Sequence, residues 1–353
     1  SFANVKANIC NGTFDTIYEE ELGKRLGHVC VGILLFHSLF FQSKEQVKKR
    51  TNTLHKPQDQ YYLDYTGSSL YLNSQAKALN EALESEVYGN PHSFNPSSQR
   101  TSRVVEQLRA DILDFFNADP DKYMLVFTRS ATGGLQALGE SFPFEEDSRM
   151  AYLKSNHNSV LGIREYASRA DADVGAVTAD DVEEWLRDDD DDITDNNNRS
   201  NSRILSILRT KHVSSKKTMK KTKPQQPTTT TTTSSPTYSL FAYPAQDNYA
   251  GILYPLSWSK KIQSKSTNNH IWLVLLDVAA YVPTHRLDLT DTPADFICVS
   301  FYKMFGLPTG AGAWILRKDI GADVLKRVYW GGGSAFTATS NMQWHVRKAG
   351  PEK

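Results

Sequence analysis

Asp277 and Lys303 are the residues of this sequence whose types and placement suggest carbonyl chemistry. Asp277 closes the apolar run LVLLD, and Lys303 lies just beyond the run DFICVS. Each run is too short and too β-branched for a buried helix, whereas buried parallel strands read as continuous apolar stretches. In an open α/β sheet, ligands sit beyond the carboxyl ends of the strands. A carboxylate and an amine are therefore expected at one edge of one sheet. A lysine there can form a Schiff base, and a buried aspartate can keep a pyridine nitrogen protonated. That pairing is what pyridoxal 5'-phosphate (PLP) chemistry requires. Taken alone, the two residues also fit a solvated lysine and an aspartate that caps a helix or shapes a turn.

Other groups are expected at the same edge. FTRSATGGLQAL reads as a strand, a small-residue turn and a helix start. The first helical amides at Ala131 and Thr132, with the hydroxyls of Ser130 and Thr132, form a natural phosphate cradle. A plain helix cap fits the same residues. His157, in SNHNSVLGIREY, follows a strand and enters a helix. It could stack on a cofactor ring or move a proton, or simply be structural. Asn248, in FAYPAQDNYAG, could donate to a ring oxygen, and Ser300 could reach a phosphate. There is no GxGxxG and no GxxxxGK[ST], which counts against dinucleotides and nucleoside triphosphates.

The elements that must position these groups follow a strand–helix alternation from Tyr61 onward. YYLDY is strand-like, Ser74 is expected to cap a helix to about Tyr88, and a second helix covers about 96–117. Then come strand YMLVFT, a helix from Ala131, strand MAYL, a helix from Ser159, a strand near Val174 and a helix over 179–187. Such alternation predicts an α/β fold with a mostly parallel sheet and helices on both faces. Residues 188–236 break the rhythm with acidic, basic and Thr/Ser-rich tracts. They are expected to form a disordered insertion, although RILSIL within them could be a strand. Beyond Lys303, GAGAWILRK reads as one more strand.

Bulk properties narrow the classes. The chain has 353 residues, formal net charge zero and three cysteines without CxxC spacing. Neither a nucleic-acid surface, a metal site nor a disulfide framework is indicated, and a cytoplasmic setting is expected. The apolar run Val29 to Phe41 is about 13 residues, short of the roughly 20 that span a bilayer. It is expected to be a buried helix in a helical N-terminal arm over residues 1–60.

In order, YLDYTGSSLY, GNPHS, FTRSATGGL, NHNSVLGIREYA, FAYPAQDNYAG, LLDVAAY, ADFICVSFYKMFGLPTGAGA and GGG resemble the class V aminotransferase group. Within it they are most similar to the N-terminal, cysteine-desulfurase-like domain of the molybdenum cofactor sulfurase family. The resemblance covers about residues 60–353, interrupted by 188–236. It implies a PLP-dependent transferase of fold type I, with a PLP-binding large domain over 61–330 and the start of a small domain over 331–353. It implies that Lys303 binds PLP covalently, Asp277 pairs with the ring nitrogen, His157 stacks on the ring and Asn248 contacts the ring hydroxyl. Ala131, Thr132 and Ser300 would hold the phosphate. The implied reaction takes sulfur from L-cysteine, releases alanine and passes the sulfur to molybdenum cofactor, and the implied assembly is a homodimer.

The sequence departs from the pattern in places. Bacterial cysteine desulfurases carry a histidine where this chain has Tyr302, and a glutamine where it has Ala280. The family's persulfide cysteine lies beyond the last residue here, and Cys10, Cys30 and Cys298 do not match it. The chain is therefore expected to be a fragment that binds PLP without completing sulfur transfer. Another class V activity, selenocysteine lyase or aminotransferase, or an inactive PLP-binding fragment are the alternatives.

Overall fold

The structure, a computed structural model, describes residues 63–187, 204, 235–307, 310–331 and 334–347. The expected N-terminal arm, its apolar run and most of 188–236 lie outside the described residues. RILSIL is described only at Ile204, which is helical rather than extended and fully buried in the core.

Strands β1 (Tyr123–Thr128), β2 (Arg149–Leu153), β3 (Asp173–Val177), β4 (Thr237–Pro244), β5 (His270–Asp277), β6 (Phe296–Ser300) and β7 (Gly312–Arg317) form one seven-stranded sheet in the order β1-β7-β6-β5-β4-β2-β3. All neighbours from β6 to β3 pair in parallel, and only β7 runs against its two neighbours. The reversal has a local cause. A parallel return needs a crossover of a dozen or more residues, but a five-residue helix and a turn connect β6 to β7. That turn includes Gly306 at φ 80° and Gly310 at φ 83°, a region glycine reaches without a Cβ penalty.

Side chains alternate across each strand, and here both faces are buried. Phe241, Tyr243, Val274, Leu276, Ile297 and Val299 pack into one core, whereas Leu240, Ala242, Leu273, Leu275, Phe296 and Cys298 pack into the other. The first face is covered by α2 (Pro96–Phe115), α6 (Ala179–Arg187) and α7 (Trp258–Ser264), through Leu108, Ile112, Trp185 and Trp258. The second is covered by α3 (Ala131–Ser141), α4 (Asn158–Leu161) and α5 (Arg164–Arg169), through Leu135, Leu138, Val160 and Ile163. Double-sided burial explains why β4, β5 and β6 are unbroken apolar runs. Among the described residues no helix is long and apolar enough to cross a membrane.

Two local expectations are corrected. Leu63–Tyr65 form no strand, because Asp64 instead closes a turn: its carbonyl and Oδ1 each accept from Gly67 N–H at 3.1 Å. Ser74 does not cap α1, which spans Asn73–Ser85. The cap is made by Gln75, whose Oε1 accepts from Leu72 N–H at 2.6 Å. After β7 the chain makes a π-helical turn (Ile320–Val324), then a hairpin of β8 (Ala335–Ala338) and β9 (His345–Arg347).

Candidate active site

A cleft of about 500 Å³, partly open to solvent, lies beyond the carboxyl ends of β1, β2, β4, β5 and β6. Lys303, Asp277, His157, Ala131, Thr132, Asn248 and Ser300 all line it.

The floor comes from β5 and β6. Asp277 is the last residue of β5 and pairs in register with Cys298 of β6. Its Oδ1 accepts from Ala279 N–H at 3.0 Å. Burial pushes the carboxyl above its ordinary range, and the Ala279 bond and the charges of His157 and Lys303 oppose that shift only in part. A buried carboxylate in this condition gains from a cationic partner in the cleft. Ser300 ends β6 and is fully buried, and its Oγ has no hydrogen-bond partner. Lys303 follows on α8 (Phe301–Phe305), so it enters the cleft from the turn after the strand that delivers Ser300.

The N-terminus of α3 forms one wall. Ser130 is its cap and accepts from Gly133 N–H at 3.0 Å, leaving the earlier amides free of helical partners. Thr132 Oγ1 lies 2.7 Å from Ser159 Oγ at the start of α4. Gly312 makes this approach possible. A Cβ there would sit 2.7 Å from Ala131 N and 2.8 Å from Val299 O, so any side chain at the head of β7 would displace the amides of the cradle. Cys298 backs the same wall, its thiol donating to Ala131 O at 3.2 Å. Burial, reinforced by the Asp277 charge, holds that thiol well above its usual range. It is a packing thiol and not a nucleophile.

His157 is the N-cap of α4, and its Nδ1 accepts from Ser159 N–H at 3.1 Å. That bond puts the proton of the neutral ring on Nε2. Its exposed imidazole lines the mouth of the cleft. Pro244, the last residue of β4, and Gln246 and Asn248 just beyond it also line the cleft. Gln246 was not among the residues picked out by sequence, yet its Oε1 is buried without a partner. The available signal was its spacing of two from Asn248. Ser159 and Tyr302 also line the cleft and were likewise not selected as site residues.

The aminotransferase class-V family profile matches residues 61–214 and 186–351. The molybdenum cofactor sulfurase of Solanum lycopersicum is 35% identical over 303 residues, 84% of this chain and 35% of that protein. The Danio rerio and Homo sapiens proteins of the same name are 36% and 35% identical, over 78% and 81% of this chain and 30% and 29% of their own lengths. The chain thus spans about a third of the length of the curated relatives it matches. Among solved structures, the cysteine desulfurase CsdA of Escherichia coli superposes with TM-score 0.59 at 16% identity, covering 86% of this chain and 65% of that one. The apo cysteine desulfurase of Thermococcus onnurineus NA1 gives TM-score 0.57 at 16% identity, covering 87% and 65%.

Proposed function

Because this chain belongs to the aminotransferase class-V family, we propose that its cleft binds PLP covalently through Lys303 and takes sulfur from L-cysteine in a desulfurase-type reaction. In the whole protein the final acceptor would be molybdenum cofactor, as the names of the relatives suggest, and the working form a homodimer. One observation carries the reading: a lysine amine and a buried carboxylate share a cleft with a helix N-terminus.

The chain's own groups fit the cofactor. The orphaned Ser300 Oγ and the amides of Ala131 and Thr132, kept open by Gly312, suit a phosphate. The orphaned Gln246 Oε1 and the Asn248 side chain would offer polar partners to the ring substituents. Asp277 supplies a carboxylate whose burial favours pairing with a protonated ring nitrogen. Bound PLP supplies an electron sink for carbanion chemistry next to the amine it carries.

Each residue then has a task. Lys303 would hold the cofactor, and its Nζ would be the amine in the cleft that takes or returns the substrate Cα proton. Asp277 keeps the ring nitrogen protonated. His157 lines the cleft with its tautomer set by Ser159, and its ring would stack on the cofactor or move a proton. The Ala131–Thr132 wall holds the phosphate so that the reacting amine does not wander.

The test begins with a spectrum. Adding PLP to the purified chain should produce the long-wavelength band of a lysine-bound cofactor, and Lys303→Ala should lack it. Alanine release from L-cysteine, compared with transamination of a keto acid, then separates desulfuration from other class V activities. Absence of the band in the native chain would overturn the reading.

A further inference from the structure

Lys303 rides on a helix of only five residues, Phe301–Phe305. So short a helix cannot satisfy its own last carbonyls, and it has little intrinsic stability. Its ends must be held from outside if the amine is to keep one position. The holding segment is far away in sequence. Ser69 Oγ donates to Lys303 O at 2.5 Å, and Ser69 N–H donates to Tyr302 O at 3.3 Å. Ser68 Oγ reaches Tyr302 O only at the outer limit, 3.5 Å. The contact is close on the far side too: a Cβ on Gly306 would lie 2.4 Å from Tyr71 N and 2.7 Å from Ser69 O.

The segment that makes these contacts is itself fixed at both ends. Upstream, the Asp64–Gly67 turn folds it. Downstream, Leu72 N–H is bound by the buried Gln75 at the start of α1. Between these anchors residues 68–71 form no helix or strand.

We propose that Ser69 is a positioning residue for Lys303, and that residues 64–71 act as a brace that sets the direction of the lysine amine by binding the carbonyl of the lysine itself. A hydroxyl at Ser69 is needed because a backbone amide alone reaches only the neighbouring carbonyl. The brace acts through the lysine's backbone and touches no cofactor atom. Its role in catalysis rests on the reading of Lys303 as the PLP anchor, whereas its mechanical part does not.

Two measurements test it separately. In the apoprotein, hydrogen–deuterium exchange over residues 301–306 should be about five- to tenfold faster in Ser69→Ala, the factor expected for one lost hydrogen bond. Exchange in β4 and β5 should be unchanged, and Ser69→Thr, which keeps the hydroxyl, should exchange as the native chain does. In the PLP-loaded protein, Ser69→Ala should still form the lysine-bound band but release the cofactor about tenfold faster. Unchanged exchange at 301–306, or faster exchange spread through the whole sheet, would overturn the brace. If Lys303→Ala keeps the band, the anchor reading fails instead, and the exchange result still decides the mechanical claim.

Discussion

Asp277 is an expensive residue for the empty protein. Its carboxyl is pushed above the ordinary value of 3.8 by burial, so folding favours its protonated form. The stability this gives is fully present below the unfolded pKa and is lost as pH rises through the higher folded value. Asp277→Asn keeps an acceptor for Ala279 N–H but removes the buried charge. At neutral pH the apo variant should be more stable and melt at a higher Tm. Its stability should also fall less between pH 4 and 7. PLP affinity should drop at the same time, because the ring nitrogen loses its charged partner. Thermal unfolding of both apoproteins across that pH range, with a PLP titration, checks both halves. The residue type and its place after an apolar run were legible in the sequence. Its protonation cost was not, because that depends on the packing of β4, β5 and β6 around it. Gln246 went unselected for a similar reason: nothing in its neighbours showed that its amide would be walled in.

At the level of elements, the contact between β7 and α3 controls the phosphate wall. Gly312→Ala would drive a methyl into the backbone at Ala131 and Val299, where no side chain can swing away. The expected cost is about 1–3 kcal/mol of stability and at least a tenfold loss of PLP affinity. Gly133→Ala is the contrasting case. A Cβ there meets nothing nearer than 3.7 Å, and alanine is the better helix former by up to about 1 kcal/mol. That variant should keep its affinity and gain stability, as denaturant titration with and without PLP would show. Most strands were readable, since apolar runs bounded by turn residues carry their own signal: β1 and α6 match the expected ranges, and α2 starts at the expected Pro96 with Asn95 as its cap. YYLDY misled because a β-like composition was overruled by the local turn at Asp64. The antiparallel entry of β7 was not apparent from composition at all, because strand direction comes from the length of the connection.

For the whole molecule, PLP should act as a folding ligand. Its proposed contacts come from β1, β2, β4, β5 and β6 together, so they exist only in the folded sheet. At a free concentration one hundred times the dissociation constant, linkage predicts about 2.7 kcal/mol of added stability. For a chain of 353 residues that is a Tm increase of roughly 3–5 °C. Lys303→Ala should show a much smaller rise, because only the phosphate and ring contacts remain. Differential scanning calorimetry at several PLP concentrations measures both.

The sequence by itself determined the alternation of strands and helices, the doubly buried sheet and the chemistry-bearing residues at the strand ends. These follow from period, length and residue type, which are local properties of the chain. The tertiary structure decided what the chain cannot encode locally. It set the reversed direction of β7, the glycine gap that brings it against Ala131, the orphaned Gln246 and the hold of Ser69 on the Lys303 carbonyl. Those depend on contacts between distant segments, whose geometry is fixed only when the two faces of the sheet are packed at once.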